Sequence, residues 1–184
     1  MRIVGGRWRG RPLQGPSSAD IRPTADRLRE SLFNILAHAH GDPVSGARVL
    51  DLFAGTGALG LECLSRGAAF ALFVDNGAQS RALLRANVDA LGAGGVTRVF
   101  RRDATELGPA APIEPFSLLF ADPPYRGGLA ELALLSAGEG GWLTADAIAV
   151  VEDARGAFAA PDGFAELERR TYDDSEITFL RLSA

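Results

Sequence analysis

The chain has 184 residues, 47% of them apolar, with a formal charge of −4, one cysteine and two histidines. That length supports one well-buried domain rather than two, and no run approaches the roughly 18 to 20 uninterrupted apolar residues that a membrane span takes. The start, Met1-Arg2-Ile3-Val4-Gly5-Gly6, lacks the apolar stretch of a secretory signal, so a cytoplasmic protein is expected. Cys63 has no partner for an internal disulfide, and with His38 and His40 it gives no zinc-type spacing, so no metal is expected.

An acidic chain is a poor general nucleic-acid binder, but the charge is unevenly spread. Residues 1 to 30 hold seven arginines against three acids, and the remainder holds twelve against twenty. The cations at the start, Arg7, Arg9, Arg11, Arg22, Arg27 and Arg29 among them, point to an anion-facing segment. The first fifteen residues mix arginine with glycine, Trp8 and Pro12, which suits an irregular hairpin or exposed arm that contributes nothing to a core.

From Ala25 to Ala37, Leu28, Leu32, Ile35 and Leu36 recur at helical spacing, and Gly41-Asp42-Pro43 ends that helix. Arg48 to Phe53 reads as a buried strand running into a glycine turn. Helices at 59–65, 79–91 and 129–137 then alternate with strands at 70–74, 96–100, 116–121 and 147–152. Such alternation implies parallel strands with helices on both faces. The tail departs from it: 164–172 and 176–182 read as two strands joined by Asp173-Asp174-Ser175, a hairpin giving the sheet an antiparallel edge. The fold class is therefore α/β.

The turn after the first strand, Gly55-Thr56-Gly57-Ala58-Leu59-Gly60, lets the backbone approach a ligand closely. Asp75 follows Gly55 by twenty residues, at the end of the next strand, where an acid can accept hydrogen bonds from ribose hydroxyls. That much also fits NAD. Asp51, inside the first strand, is placed to meet a cationic ligand group where a pyrophosphate would be repelled, which favours S-adenosylmethionine. Asp103 and the backbone of Ala104 can take the adenine amino group and a ring nitrogen, Asn76 can touch the adenosine, and Phe53, Ala54, Thr56 and Gly57 complete the turn.

Asp122-Pro123-Pro124-Tyr125 closes the strand at 116–121. The lone pair of an exocyclic base amine is delocalised into the ring, so a catalyst has to localise it. Asp122 and the Pro123 carbonyl can accept its two N–H hydrogen bonds, Pro124 stiffens the backbone, and Tyr125 offers a face for stacking.

Val49-Leu50-Asp51-Leu52-Phe53-Ala54-Gly55-Thr56-Gly57-Ala58-Leu59-Gly60 paired with Asp122-Pro123-Pro124-Tyr125 resembles the class I, amino-directed methyltransferases. Met1 to Gly6, Arg22-Pro23-Thr24, Asp26-Arg27, Arg29-Glu30 and Leu32 to Leu36 narrow the likeness to the RsmD family, bacterial enzymes that methylate guanine N2 in small-subunit (16S) ribosomal RNA. The resemblance implies a seven-stranded Rossmann-like sheet and S-adenosyl-L-methionine as donor. It also implies action on the 30S particle, with ribosomal proteins helping to form the docking surface. On this reading residues 1–40 are a basic, RNA-facing arm and helix, and 41–184 the methyltransferase domain. Competing readings are an adenine-N6 or protein glutamine-N5 methyltransferase, an NAD-dependent oxidoreductase, which gives Asp122 to Tyr125 no task, and a non-catalytic RNA-assembly factor.

Overall fold

Seven strands form one sheet in the order β3-β2-β1-β4-β5-β7-β6. The computed structural model describes residues 1–16, 23–125 and 127–183. The elements are α1 (Pro23–Ala39), β1 (Arg48–Leu52), α2 (Ala58–Ser65), β2 (Phe70–Val74), α3 (Ala78–Ala90), β3 (Thr97–Phe100), β4 (Phe116–Ala121), α4 (Leu129–Glu139), β5 (Leu143–Ala154), β6 (Phe164–Tyr172) and β7 (Ser175–Leu182). Strands β1 to β5 pair in parallel, and β7 pairs antiparallel with β5 and β6. The hairpin thus turns inward: its second strand packs against β5 and its first becomes the edge.

The central strands are apolar on both faces because both are covered. On one face Val49, Phe73, Phe120, Val150 and Phe179 pack with Leu32, Phe33 and Leu36 of α1, Leu61 and Leu64 of α2, and Leu84 and Val88 of α3. On the other, Leu50, Leu52, Val74, Ala121 and Val151 pack with Ala130, Ala133, Leu134 and Ala137 of α4, and with Trp142.

Two expectations change. The N-terminal segment does contribute to the core: Ile3 and Leu13 are buried with α1 and the sheet. Reciprocal backbone bonds, Ile3 N–H to Arg11 and Leu13 N–H to Met1, both 2.9 Å, fold it into a hairpin that brings these two isolated apolar residues to one side. Strand β5 also starts four residues earlier than the apolar run at Ala147. Its register with β4 shifts between Phe116 and Leu118, and Asp146 has a φ of +59°, so the irregular start carries no period-two signal.

Candidate active site

The order of the sheet reverses between β1 and β4, whose connections leave in opposite directions, and ligands of such sheets bind outside the carboxyl ends of the strands at that point. Four acids stand there. Asp51 is in β1, Asp75 follows β2, Asp122 follows β4 and Glu152 is in β5. Alternation along each strand puts all four on the face shared by Val49, Phe73, Phe120 and Val150.

The glycine turn is built for close approach. Gly55 has a φ of +58°, and a Cβ there would meet nothing closer than the Phe53 carbonyl at 3.9 Å, so the turn is open on its ligand side. Gly57 (φ +80°) has no such space, since a Cβ would lie 2.2 Å from Leu84. A Cβ on Gly60 would fall 2.4 Å from the Phe73 ring, which sets how near α2 sits to the sheet. Phe53, expected as the last strand residue, instead adopts a φ of +56°. A left-handed aromatic residue is strained, and the strain sits at the mouth of the site.

A cleft of about 550 Å³ joins the turn to the Asp-Pro-Pro-Tyr segment; Phe53, Gly55, Asp75, Asn76, Asp103, Ala104, Asp122 and Pro124 line it. Asp75 accepts the Gly55 N–H on one oxygen (2.9 Å) and the Gly77 N–H on the other (2.7 Å). Asp103 Oδ1 accepts both the N–H and the hydroxyl of Thr105, which holds its pKa below the usual carboxylate value and leaves Oδ2 free for a donor. Volume, open Gly55 and two ionisable acceptors fit an adenosine-bearing ligand. Ser80, Arg102 and Leu129 also line this cleft and were not anticipated; no local motif marks them.

Other expected residues stand elsewhere. Asp51 does not line the cleft: it is 2% exposed behind the turn, and its Oδ2 accepts the Gly60 N–H at 3.0 Å. Burial pushes its pKa up to about 8; the Gly60 bond opposes the rise and Asp75 adds to it. Its strand position gave the correct face, but not the depth. Thr56 faces the N-terminal hairpin: its hydroxyl points to the Met1 sulfur at 3.9 Å and its carbonyl accepts from Asn87 Nδ2 at 3.0 Å. Asn87 also exchanges hydrogen bonds with the backbone of Gln14, so hairpin, α3 and glycine turn are tied together.

On the reacting side Asp122 opens to the cleft, yet protein atoms crowd it. This desolvation, then the charges of Glu152, Asp51 and Asp153, raise its pKa well above the ordinary value. Tyr125 is 57% exposed and faces away from the first cleft into a second groove of about 860 Å³, with Arg27, Leu28, Glu152 and the Tyr172–Ser175 turn. The Asp122–Tyr125 segment is therefore the partition between two clefts. Glu152 was missed because only its register with β4 distinguishes it from any polar strand end.

The arginines divide. Arg7 is exposed with its guanidinium 4.2 Å from the Trp8 ring, and Arg9 and Arg27 are exposed in a further groove of about 630 Å³ that also includes Arg2. Arg11 is exposed and bonds the Ala90 carbonyl at 2.6 Å. Arg29 corrects the expectation of a nucleic-acid contact: it is 7% exposed, bonds Asp26 and the Arg2 carbonyl, and lies 3.9 Å from buried Glu62. Glu62 accepts the Val4 and Gly5 N–H groups at 2.9 and 2.7 Å, so this ionic cluster fastens the hairpin to α1 and α2. Arg22 lies outside the described residues.

A mostly parallel seven-stranded sheet with one reversed strand next to its edge, a glycine turn and an Asp-Pro-Pro-Tyr wall across a nucleoside-sized cleft define a class I methyltransferase. The family described as Conserved hypothetical protein 95 matches residues 1–181, and the chain belongs to it. It is 44% identical over 153 residues to Ribosomal RNA small subunit methyltransferase D of Escherichia coli K12, covering 83% of this chain and 74% of that one. The solved structure of Escherichia coli yhhF superposes with a TM-score of 0.82 at 34% identity, covering 100% of this chain and 98% of the other. The fold alone does not fix the reaction, since the cyclase SpnF shares it at a TM-score of 0.69 and 14% identity, over 94% of this chain and 86% of that one. No helix among the described residues is long and apolar enough to cross a membrane.

Proposed function

We propose that the protein transfers a methyl group from S-adenosyl-L-methionine to the exocyclic N2 amine of a guanine in small-subunit ribosomal RNA, within the 30S particle. The observation that carries this reading is the partition: Asp122 and Pro124 border a cleft suited to the donor, and Tyr125 borders a separate groove open to a base. The ribosomal RNA methyltransferase D relative supports the substrate class.

Asp75 would hold the ribose hydroxyls, Asp103 and the Ala104 N–H the adenine, and Gly55 would allow the backbone to approach the rest of the donor. When bound, S-adenosylmethionine supplies a methyl group already activated on a sulfonium. Asp122 and the Pro123 carbonyl accept the two N–H hydrogen bonds of the amine, turning its lone pair out of conjugation toward the first cleft. Methylation acidifies the nitrogen, and the raised pKa of Asp122 suits it to take the released proton. Tyr125 stacks on a base drawn out of its helix, a displacement that a looped or bulged target makes easier. Arg27 borders both the Tyr125 groove and the groove holding Arg2 and Arg9, a run of cations along which an RNA strand can lie.

Labelled methyl incorporation into undermethylated 30S particles, naked ribosomal RNA and DNA, followed by nucleoside analysis, tests the proposal. N2-methylguanosine from the particles is the expected product. N6-methyladenosine, or label in DNA alone, would overturn the choice of base or polymer.

A further inference from the structure

Glu152 has no role in the chemistry so far, yet it stands beside Asp122. Ala121, the last residue of β4, pairs in parallel with Val151 of β5, so Asp122 just past β4 comes beside Glu152 of β5, whose charge acts on it. Adjacent carboxylates at a crowded site oppose each other, and desolvation opposes both. No arginine or histidine forms a salt bridge with either among the described residues. The Glu152 carboxylate lines the groove that also contains Tyr125. Ser175, at the start of β7, stands beside Glu152 in the same groove, with its hydroxyl bonded to the Tyr172 carbonyl at 3.5 Å. Among the described residues Glu152 forms no salt bridge, although Arg27 lines the same groove, so its carboxylate keeps acceptor capacity for whatever enters.

We infer that Glu152 is the specificity-determining residue of the acceptor groove, accepting the N1–H of the guanine whose N2 amine is held by Asp122. Guanine presents N1–H and N2–H side by side on one edge. Two carboxylates from strands about 4.8 Å apart can meet that pair of donors. Adenine offers a lone pair at N1, which a carboxylate repels, and a glutamine amide has no neighbouring ring donor. The discrimination between the candidate acceptors therefore resides at Glu152. This inference rests on the reading under Proposed function and names the group that selects its base.

The test is Glu152→Gln, assayed on undermethylated 30S particles with guanosine 5′-monophosphate and adenosine 5′-monophosphate as competitors. The substitution is expected to lower kcat/KM by about a hundredfold while leaving the affinity for S-adenosylhomocysteine within about threefold. Guanosine 5′-monophosphate should inhibit the wild type at least about tenfold better than adenosine 5′-monophosphate, and Glu152→Gln should erase that margin. Transfer within about threefold of wild type, equal inhibition by the two nucleotides in the wild type, or a margin that survives the substitution would each overturn the role. N2-methylguanosine formed at an undiminished rate by the variant removes only Glu152. A wild-type product other than N2-methylguanosine removes the proposed function and this inference with it.

Discussion

Asp75 Oδ2 accepts the Gly55 N–H at 2.9 Å, so the end of β2 and the turn after β1 are one unit across twenty residues of sequence. The same carboxylate is the one that the proposed function assigns to the ribose. Asp75→Ala should therefore weaken S-adenosylhomocysteine binding twice over, by losing an acceptor and by loosening the turn, with a combined loss of about 10- to 100-fold by calorimetry. An unchanged Kd would mean that the ribose is held elsewhere.

Asp51 makes stability depend on pH. Its pKa rises from 3.8 to about 8 on folding, so between those values the native state binds a proton that the unfolded chain has released. Stability then falls as pH rises through that window and is level above it. Asp51→Asn keeps an acceptor for Gly60 and abolishes the titration. Its Tm should exceed that of the wild type by a margin that widens from pH 5 to pH 8, each kcal/mol appearing as about 2–4 °C in a chain of this size. Parallel Tm curves across the window would contradict the assignment.

On the proposed function, Asp122 serves the chemistry and Tyr125 the stacking of the base. Asp122→Ala should abolish methyl transfer and leave S-adenosylhomocysteine binding mostly intact, because the acid acts on the acceptor. Tyr125→Ala should weaken particle binding by about 1–3 kcal/mol while Tyr125→Phe stays near wild type. Transfer retained by Asp122→Ala would refute its role.

Arg29 and the arginines of the hairpin should fail in different ways. Arg29→Ala takes a buried cation from Asp26 and Glu62, which keep Arg2 and Arg66 as partners, and should cost about 1.5–3 kcal/mol in urea unfolding. Arg7→Ala with Arg9→Ala should barely affect folding, and should weaken RNA binding and flatten its salt dependence by roughly 0.7–0.9 in log–log slope for each phosphate no longer neutralised. A steep slope in the double variant would assign the hairpin to architecture alone.

Strand and helix positions were legible because each central strand is buried on both faces and reads as an apolar run, α1 repeats its apolar residues at helical spacing, and α2 and α4 are apolar stretches between strands. The cleft was legible too, since Gly55, Asp75, Asp103 and Asp122 sit at fixed offsets from strand ends. What escaped depends on three dimensions. Ile3 and Leu13 look isolated until a hairpin aligns them. Asp51 has the correct parity, but only the packing of α2 shows that it is spent on Gly60. Arg29 differs from Arg27 by half a turn of helix, which is the difference between an ion cluster under the hairpin and a cation at the mouth of a groove. Glu152 acquires meaning only from the pairing of β4 with β5.

On the proposed function, the wall formed by Asp122 to Tyr125 would give donor and acceptor separate doorways. Spent cofactor would then be exchanged from the Asp75 side without first evicting the RNA, and a small inhibitor lodged there would leave the Tyr125 side open. A compound meant to occupy both sides at once would have to cross the Asp122–Tyr125 wall that separates them.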